Sequence, residues 1–218
     1  MSGATRELSG KADALALLAA TLHRSLDERD EALVAYEAAS DIYRKLGDAH
    51  RLRKLLLGLA GLRWRTGDLG NSARGYEEAL ELARGQGEEK PQAVALASLS
   101  VVYRDLGELK KSLRRGRRAS TLLRNIHDPR SEAYVLSSLA ESYGESKHYP
   151  SALSCLRRSL RLRREVGDRE GAVGVLRDLA KVREAMGDVE NARSCSEEAD
   201  REEDPEKASP HSILERKT

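Results

Sequence analysis

The chain has 218 residues, with 38 Lys and Arg against 36 Asp and Glu, so its formal net charge is +2. This near-neutral balance gives no general reason to expect a nucleic-acid partner. The sequence contains no run of about 18 apolar residues, so no membrane span is predicted. The N-terminus lacks the apolar core of a signal peptide, and two cysteines make no disulfide framework. We therefore expect a cytoplasmic protein.

The composition favours helices. The chain contains no Phe, one Trp and seven Tyr, while Ala and Leu are abundant, and β-branched runs that would build strands are missing. The five prolines lie where helices are expected to begin or beyond their ends, at positions 91, 129, 150, 205 and 210.

A turn signal recurs every 20 residues along the chain. Gly followed by an acid stands at 47, 67, 87, 107, 167 and 187, and the slots at 127 and 147 hold His-Asp and Lys-His. Gly supplies the left-handed residue that ends a helix, and the acid can cap the next one. This predicts five helix-turn-helix repeats over 8–47, 48–87, 88–127, 128–167 and 168–199, a lead at 1–7 and a disordered acidic tail at 200–218.

Small residues repeat at the positions where two helices would cross, as in Ala39, Ala79, Ala119, Ser159 and Ala199. In this register the second repeat carries Leu56, Leu59, Ala60, Gly67-Asp68, Tyr76 and Ala79, and the fourth carries Leu139, Ala140, Tyr143, Tyr149, Ala152 and Ser159. The pattern resembles the tetratricopeptide repeat (TPR) family, in the 40-residue form of LGN/Pins-type and kinesin-light-chain-like proteins. The resemblance implies an all-α, right-handed α-solenoid of about five repeats.

Catalytic motifs are missing from the sequence. No two histidines form the i, i+4 pair of a zinc motif, and no phosphate-binding glycine loop or nucleophile elbow occurs. We therefore expect no enzyme activity, no metal and no cofactor. The resemblance implies an adaptor or scaffold that binds a peptide or helix of a partner protein in a concave groove lined by the first helix of each repeat.

The family register gives candidate groove residues. Affinity is expected from Leu57, Trp64, Val94 and Val101, and specificity from Arg65, Arg104, Glu141 and Lys181. Trp64 is either a binding anchor or a core residue packed against the third repeat. Chaperone C-terminal tails are not expected as ligands, because the three asparagines, at 71, 125 and 191, all lie outside the first helices.

Charge is segregated along the chain. Residues 108–130 carry eight bases and two acids, and 157–169 carry six arginines and two acids, whereas 27–48 and 197–207 are acidic. The basic surface, expected on the convex side of repeats 3 and 4, includes Lys110, Lys111, Arg114, Arg115, Arg118, Arg157 and Arg161.

Four interpretations of this surface remain open. It is a solvated face, a docking surface for an acidic protein or anionic lipid, a phosphate-binding surface, or a self-contact with the acidic segments. Nucleic acid is the least favoured partner, because no aromatic residues are interleaved for base stacking. The alternative function is therefore an anion-binding module. Self-association is a third hypothesis, since the last repeat has no separate capping helix and could leave an apolar edge.

Overall fold

The computed structural model describes residues 3–24 and 28–204, and within these ranges the chain forms ten α-helices and no strand. The helices are α1 (Gly3–Leu22), α2 (Arg29–Leu46), α3 (Ala49–Arg65), α4 (Leu69–Gly85), α5 (Glu89–Asp105), α6 (Leu109–Asn125), α7 (Pro129–Glu145), α8 (Tyr149–Glu165), α9 (Arg169–Ala185) and α10 (Val189–Glu203). The predicted fold class, an all-α array of helix-turn-helix repeats, is confirmed. No helix in the described ranges is long and apolar enough to cross a membrane.

The chain divides into two compact units, and the division falls after Arg118, inside α6. Unit 1 (Met1–Arg118) contains α1 to α5 and most of α6, and unit 2 (Ala119–Thr218) contains the end of α6 and α7 to α10. Helix α1 already begins at Gly3, within the predicted lead, and α10 continues to Glu203. The predicted tail from 205 to 218 lies outside the described residues.

The predicted turns are confirmed at all eight positions from 47 to 187. The six glycines there have a positive φ, and His127 and Lys147 adopt the same conformation with φ of 55° and 59°. A left-handed residue follows each helix from α2 to α9 and lets the chain reverse.

Four of the acids that follow a turn cap the next helix with their side chains. The carboxylates of Asp48, Asp68, Asp128 and Asp168 each accept a hydrogen bond from the backbone N–H three residues on, at 3.0 to 3.2 Å. Glu88 makes no such bond at the start of α5, and neither does Asp188 at the start of α10. Asp is a preferred N-cap residue, and Glu, one methylene longer, is not among the preferred caps.

In unit 1, each helix pair packs through small residues, and the second helix of one repeat covers the first helix of the next. Ala12, Ala19, Ala32 and Ala39 are fully buried in the first repeat. Helices α2 and α3 approach each other closely, since a Cβ placed on Gly58 would lie 2.8 Å from the Tyr36 hydroxyl.

Buried serines bridge paired helices at the crossing points. Ser72 donates to the carbonyl of Ala60 at 2.8 Å, and Ser100 donates to the carbonyl of Ser112 at 2.9 Å. In unit 2, Ser159 donates to the carbonyl of Ala133 at 2.8 Å. These bonds satisfy polar groups that close packing takes away from water.

Unit 2 has a core of leucines from α7, α8 and α9, together with one buried carboxylate. Glu132 is buried at the start of α7. Its carboxylate forms an ion pair with Arg158 of α8 at 2.9 Å and accepts a hydrogen bond from the Ser120 hydroxyl at 3.3 Å. A buried carboxylate needs such partners because desolvation of an unpaired charge is costly.

Candidate functional site

The C-terminal ends of the first helices of unit 1 are tied together by two hydrogen bonds. Arg65 of α3 donates to the backbone carbonyl of His23, just after α1, at 3.1 Å. The indole N–H of Trp64 donates to the carboxylate of Asp105, at the end of α5, at 2.6 Å. We call the surface formed by α1, α3 and α5 the first-helix face.

Trp64 is not enclosed in the core, because 39% of it is exposed to solvent. Its ring contributes to the first-helix face, while its hydrogen bond to Asp105 fixes the ring orientation. Arg104 also donates to the Asp105 carboxylate, at 3.3 Å. Asp105 thus orients both Trp64 and Arg104 and offsets the positive charge of the latter.

An apolar row runs across the same face. Val94 is exposed, and Leu57 and Val101 are half-buried. Leu17 of α1 is a further member that sequence reasoning missed: it stands 40 residues before Leu57 and is exposed. Extending the repeat register back into the first block would have found it.

The first-helix residues of unit 2 are more polar. Glu141 is exposed on α7, and Lys181 on α9 pairs with Asp178 at 2.9 Å. Tyr134, at the start of α7, is the large apolar side chain exposed there. In this unit the two predicted groove residues therefore carry charge.

His23 links the first-helix face to the core of the first repeat. Its Nδ1 lies 3.2 Å from the hydroxyl of Tyr36, and the two rings meet edge to face. Burial lowers the pKa of His23, and the nearby Arg65 lowers it further. Both effects favour the neutral form of the imidazole.

Some residues of the predicted basic surface form ion pairs and others do not. On α6, Lys110, Arg114 and Arg118 are exposed and have no ion-pair partner among the described residues. Lys111 pairs with Glu108, and Arg115 lies 2.6 Å from Glu77.

On α8, Arg157 is exposed and Arg161 makes a loose pair with Glu165 at 3.8 Å. Arg164 contacts Glu198 at 2.7 Å and also Glu202, so acidic α10 neutralises part of α8. The self-contact interpretation therefore holds for this part of unit 2, where the acidic segment and the basic helix meet.

The middle of the chain matches a known repeat family. Residues 91–165 match the family model described as tetratricopeptide repeat. None of the curated proteins matches the chain in sequence.

Solved structures resemble the chain in fold. Nearly identical TPR-like repeats assigned to a kinesin light chain of Podosopora anserina superpose with a TM-score of 0.79 at 14% identity, covering 96% of this chain and 100% of that one. BtubC (BKLC) from P. vanneervenii gives 0.66 at 18%, with 93% and 92% covered. Aspartyl phosphate phosphatase F from Bacillus subtilis gives 0.72 at 11%, with 84% and 51% covered.

Proposed function

We propose, from the premise that the chain is a tetratricopeptide-repeat protein, that it is a non-enzymatic adaptor whose first-helix face in unit 1 binds a peptide or helix of a partner protein. The supporting observation is the exposure of Leu17, Trp64 and Val94 on this one face. Exposed apolar side chains grouped on one surface mark interaction sites, and Trp is prominent among interface residues that dominate binding.

The charges around this row suggest the chemistry of the partner segment. Lys54 and Arg65 are exposed on α3. Arg104 of α5 is the register counterpart of Trp64, next to Arg65, whereas Asp105 already accepts hydrogen bonds. A segment with aliphatic anchors and acidic flanks complements both features. Apolar contacts then supply affinity, and the charges supply orientation and association rate.

The test begins with a peptide library displayed on phage and selected on the full chain. Affinity of the selected peptides is measured through the emission of Trp64, the single tryptophan of the chain. Val94→Glu is expected to weaken binding at least ~10-fold, because it places a charge in the apolar row.

Val189→Glu is the matched control. Val189 is equally apolar and more exposed, but it lies on α10, a second helix of unit 2. It should leave affinity within about twofold of wild type, as expected for a surface site outside the contact. Equal losses for the two valine variants, or selection of no peptide at all, would overturn the proposal.

A second candidate function, anion binding, is favoured on α6 by the three exposed bases that have no ion-pair partner in the described part of the chain, Lys110, Arg114 and Arg118. Its probe is polyglutamate. Binding that falls steeply with salt and is lost in Arg114→Glu/Arg118→Glu, while Val94→Glu is unaffected, would support this surface over the first-helix face.

A further inference from the structure

The first repeat carries an apolar groove of about 430 Å³ between α1 and α2. Leu15, Leu18 and Leu22 of α1 line it on one side, and Val34, Ala35 and Ala38 of α2 on the other, with Asp30 and Glu31 at the rim. Leu18 is 48% exposed and Val34 is 67% exposed. Large apolar side chains exposed together on one groove are a sign of an interaction surface.

The repeat register identifies this groove as a stacking surface. The residues 40 and 80 positions after Leu15 are Leu55 and Ala95, which are 6% and 0% exposed. In those repeats the preceding second helix covers them, and Gly58, the counterpart of Leu18, meets Tyr36 of α2. The first repeat therefore presents a face that later repeats bury against a helix.

The second helix of the first repeat extends the apolar area. Where α4 has Arg74 and Glu78, α2 has Val34 and Ala38. The opposite end of the array differs, because the exposed positions of α10 are polar except for Val189. The apolar edge expected at the last repeat is instead found at the first.

The spacing along α1 indicates what covers the groove. Leu8, Leu15 and Leu22 are seven residues apart, and Lys11 and Leu18 occupy the position three residues after the first two. This is the a/d spacing of a helix that packs along another helix. The three leucines seven residues apart are also placed symmetrically, since Leu8 and Leu22 lie at equal distances from Leu15.

We propose that a second copy of this chain covers the groove, with the two α1 helices antiparallel about a two-fold axis at Leu15. Leu8 of one copy then packs against Leu22 of the other, and Leu18 of each enters the groove of its partner. The symmetry makes each patch its own complement, as an isologous interface requires.

Charge supports this antiparallel arrangement. Lys11 is exposed and has no ion-pair partner in the described residues, and the same is true of Asp30 and Glu31. Turning α1 about Leu15 carries Lys11 of one copy opposite position 19 of the other, one residue from Leu18 and next to the acidic rim. A parallel arrangement would instead set Lys11 against Lys11, which repulsion disfavours.

The test is the mass of the full chain by light scattering after gel filtration, over a concentration series. Wild type should approach twice the 24.1 kDa of the chain as concentration rises. Leu18→Glu should raise the dimer dissociation constant at least ~100-fold, because each copy places one charge in the apolar interface. Leu17→Glu is the control, since Leu17 is adjacent and exposed but does not line the groove.

A charge exchange distinguishes a second copy from other occupants. Lys11→Glu should weaken the dimer, and adding Glu31→Lys should restore it, with far-UV circular dichroism reporting that each variant is folded. A monomeric wild type at every concentration, equal losses in Leu17→Glu and Leu18→Glu, or no restoration by the second exchange would each overturn the proposal.

Discussion

At the scale of the single residue, His127 and Lys147 occupy the left-handed conformation that glycine supplies at the other six turns. For a residue with a Cβ this conformation costs about 1 kcal/mol or more. We expect His127→Gly and Lys147→Gly each to raise the free energy of unfolding by about 0.5–1 kcal/mol, measured by urea denaturation.

The opposite change provides the control. Gly107, with a φ of 75°, has open space where the methyl group of an alanine would lie, so any loss in Gly107→Ala comes from the backbone. This variant should be less stable by about 1 kcal/mol and unfold at lower urea. Stabilisation by Gly107→Ala, or none by the two glycine variants, would show that these turns are not strained.

Asp13 joins the three helices at the start of unit 1. It accepts hydrogen bonds from Tyr43 at 2.7 Å and from Arg51 at 2.8 Å. These bonds, that of Tyr43 foremost, lower the pKa of Asp13 below its ordinary value of 3.8, although burial opposes the shift. Burial, followed by the hydrogen bond to Asp13, raises the pKa of Tyr43 to about 12.

This shift predicts a pH dependence. A carboxyl whose pKa is lower in the folded state stabilises the fold above its unfolded-state pKa, and loses that contribution as pH falls through the folded-state pKa. The gap in urea midpoint between wild type and Asp13→Asn should therefore be full at pH 7 and shrink below about pH 4. A gap that is constant with pH would contradict an ionic role for Asp13.

At the scale of the element, α7 is held to α8 by the buried carboxylate of Glu132 and its contact with Arg158. Only Glu132 is buried in this pair, since one third of the Arg158 side chain is exposed. We expect Glu132→Ala to cost about 1–3 kcal/mol of unfolding free energy, measured by urea denaturation, because it leaves the Ser120 hydroxyl and Arg158 without their acceptor. Arg161→Ala, which breaks the exposed pair with Glu165, should cost less than about 1 kcal/mol. Similar losses in the two variants would argue against a structural role for the buried carboxylate.

The turns could be predicted from sequence because their cause is local: a left-handed residue and a capping acid are read within a few positions. The contacts of the first-helix face could not be predicted in this way. The hydrogen bond from Trp64 to Asp105 joins residues 41 apart, and the pair of Glu132 and Arg158 depends on which helix faces meet. The register did predict the helix and face of Val94, but not that Asp105 would be engaged.

At the scale of the whole molecule, stability in a repeat array rises with the number of neighbours a helix has. Helix α1 buries only Ala12 and Ala19, and α10 buries only Ala192 and Ala199, whereas α7 buries nine residues. At a concentration where the chain is monomeric, hydrogen exchange read by mass spectrometry should therefore be fastest in α1 and α10 and slowest in helices such as α7. Protection of α10 equal to that of α7 would contradict this.

The close approach of Tyr36 to Gly58 restricts the order of the repeats. Joining residue 47 directly to residue 88 would remove one 40-residue period and keep every turn in register. Tyr36 would then face Ser98, whose Cβ takes the space that is only 2.8 Å from the hydroxyl at Gly58. The repeats share a period, but this junction has a contact that depends on its glycine, so deleting the second repeat would force the Tyr36 side chain to move.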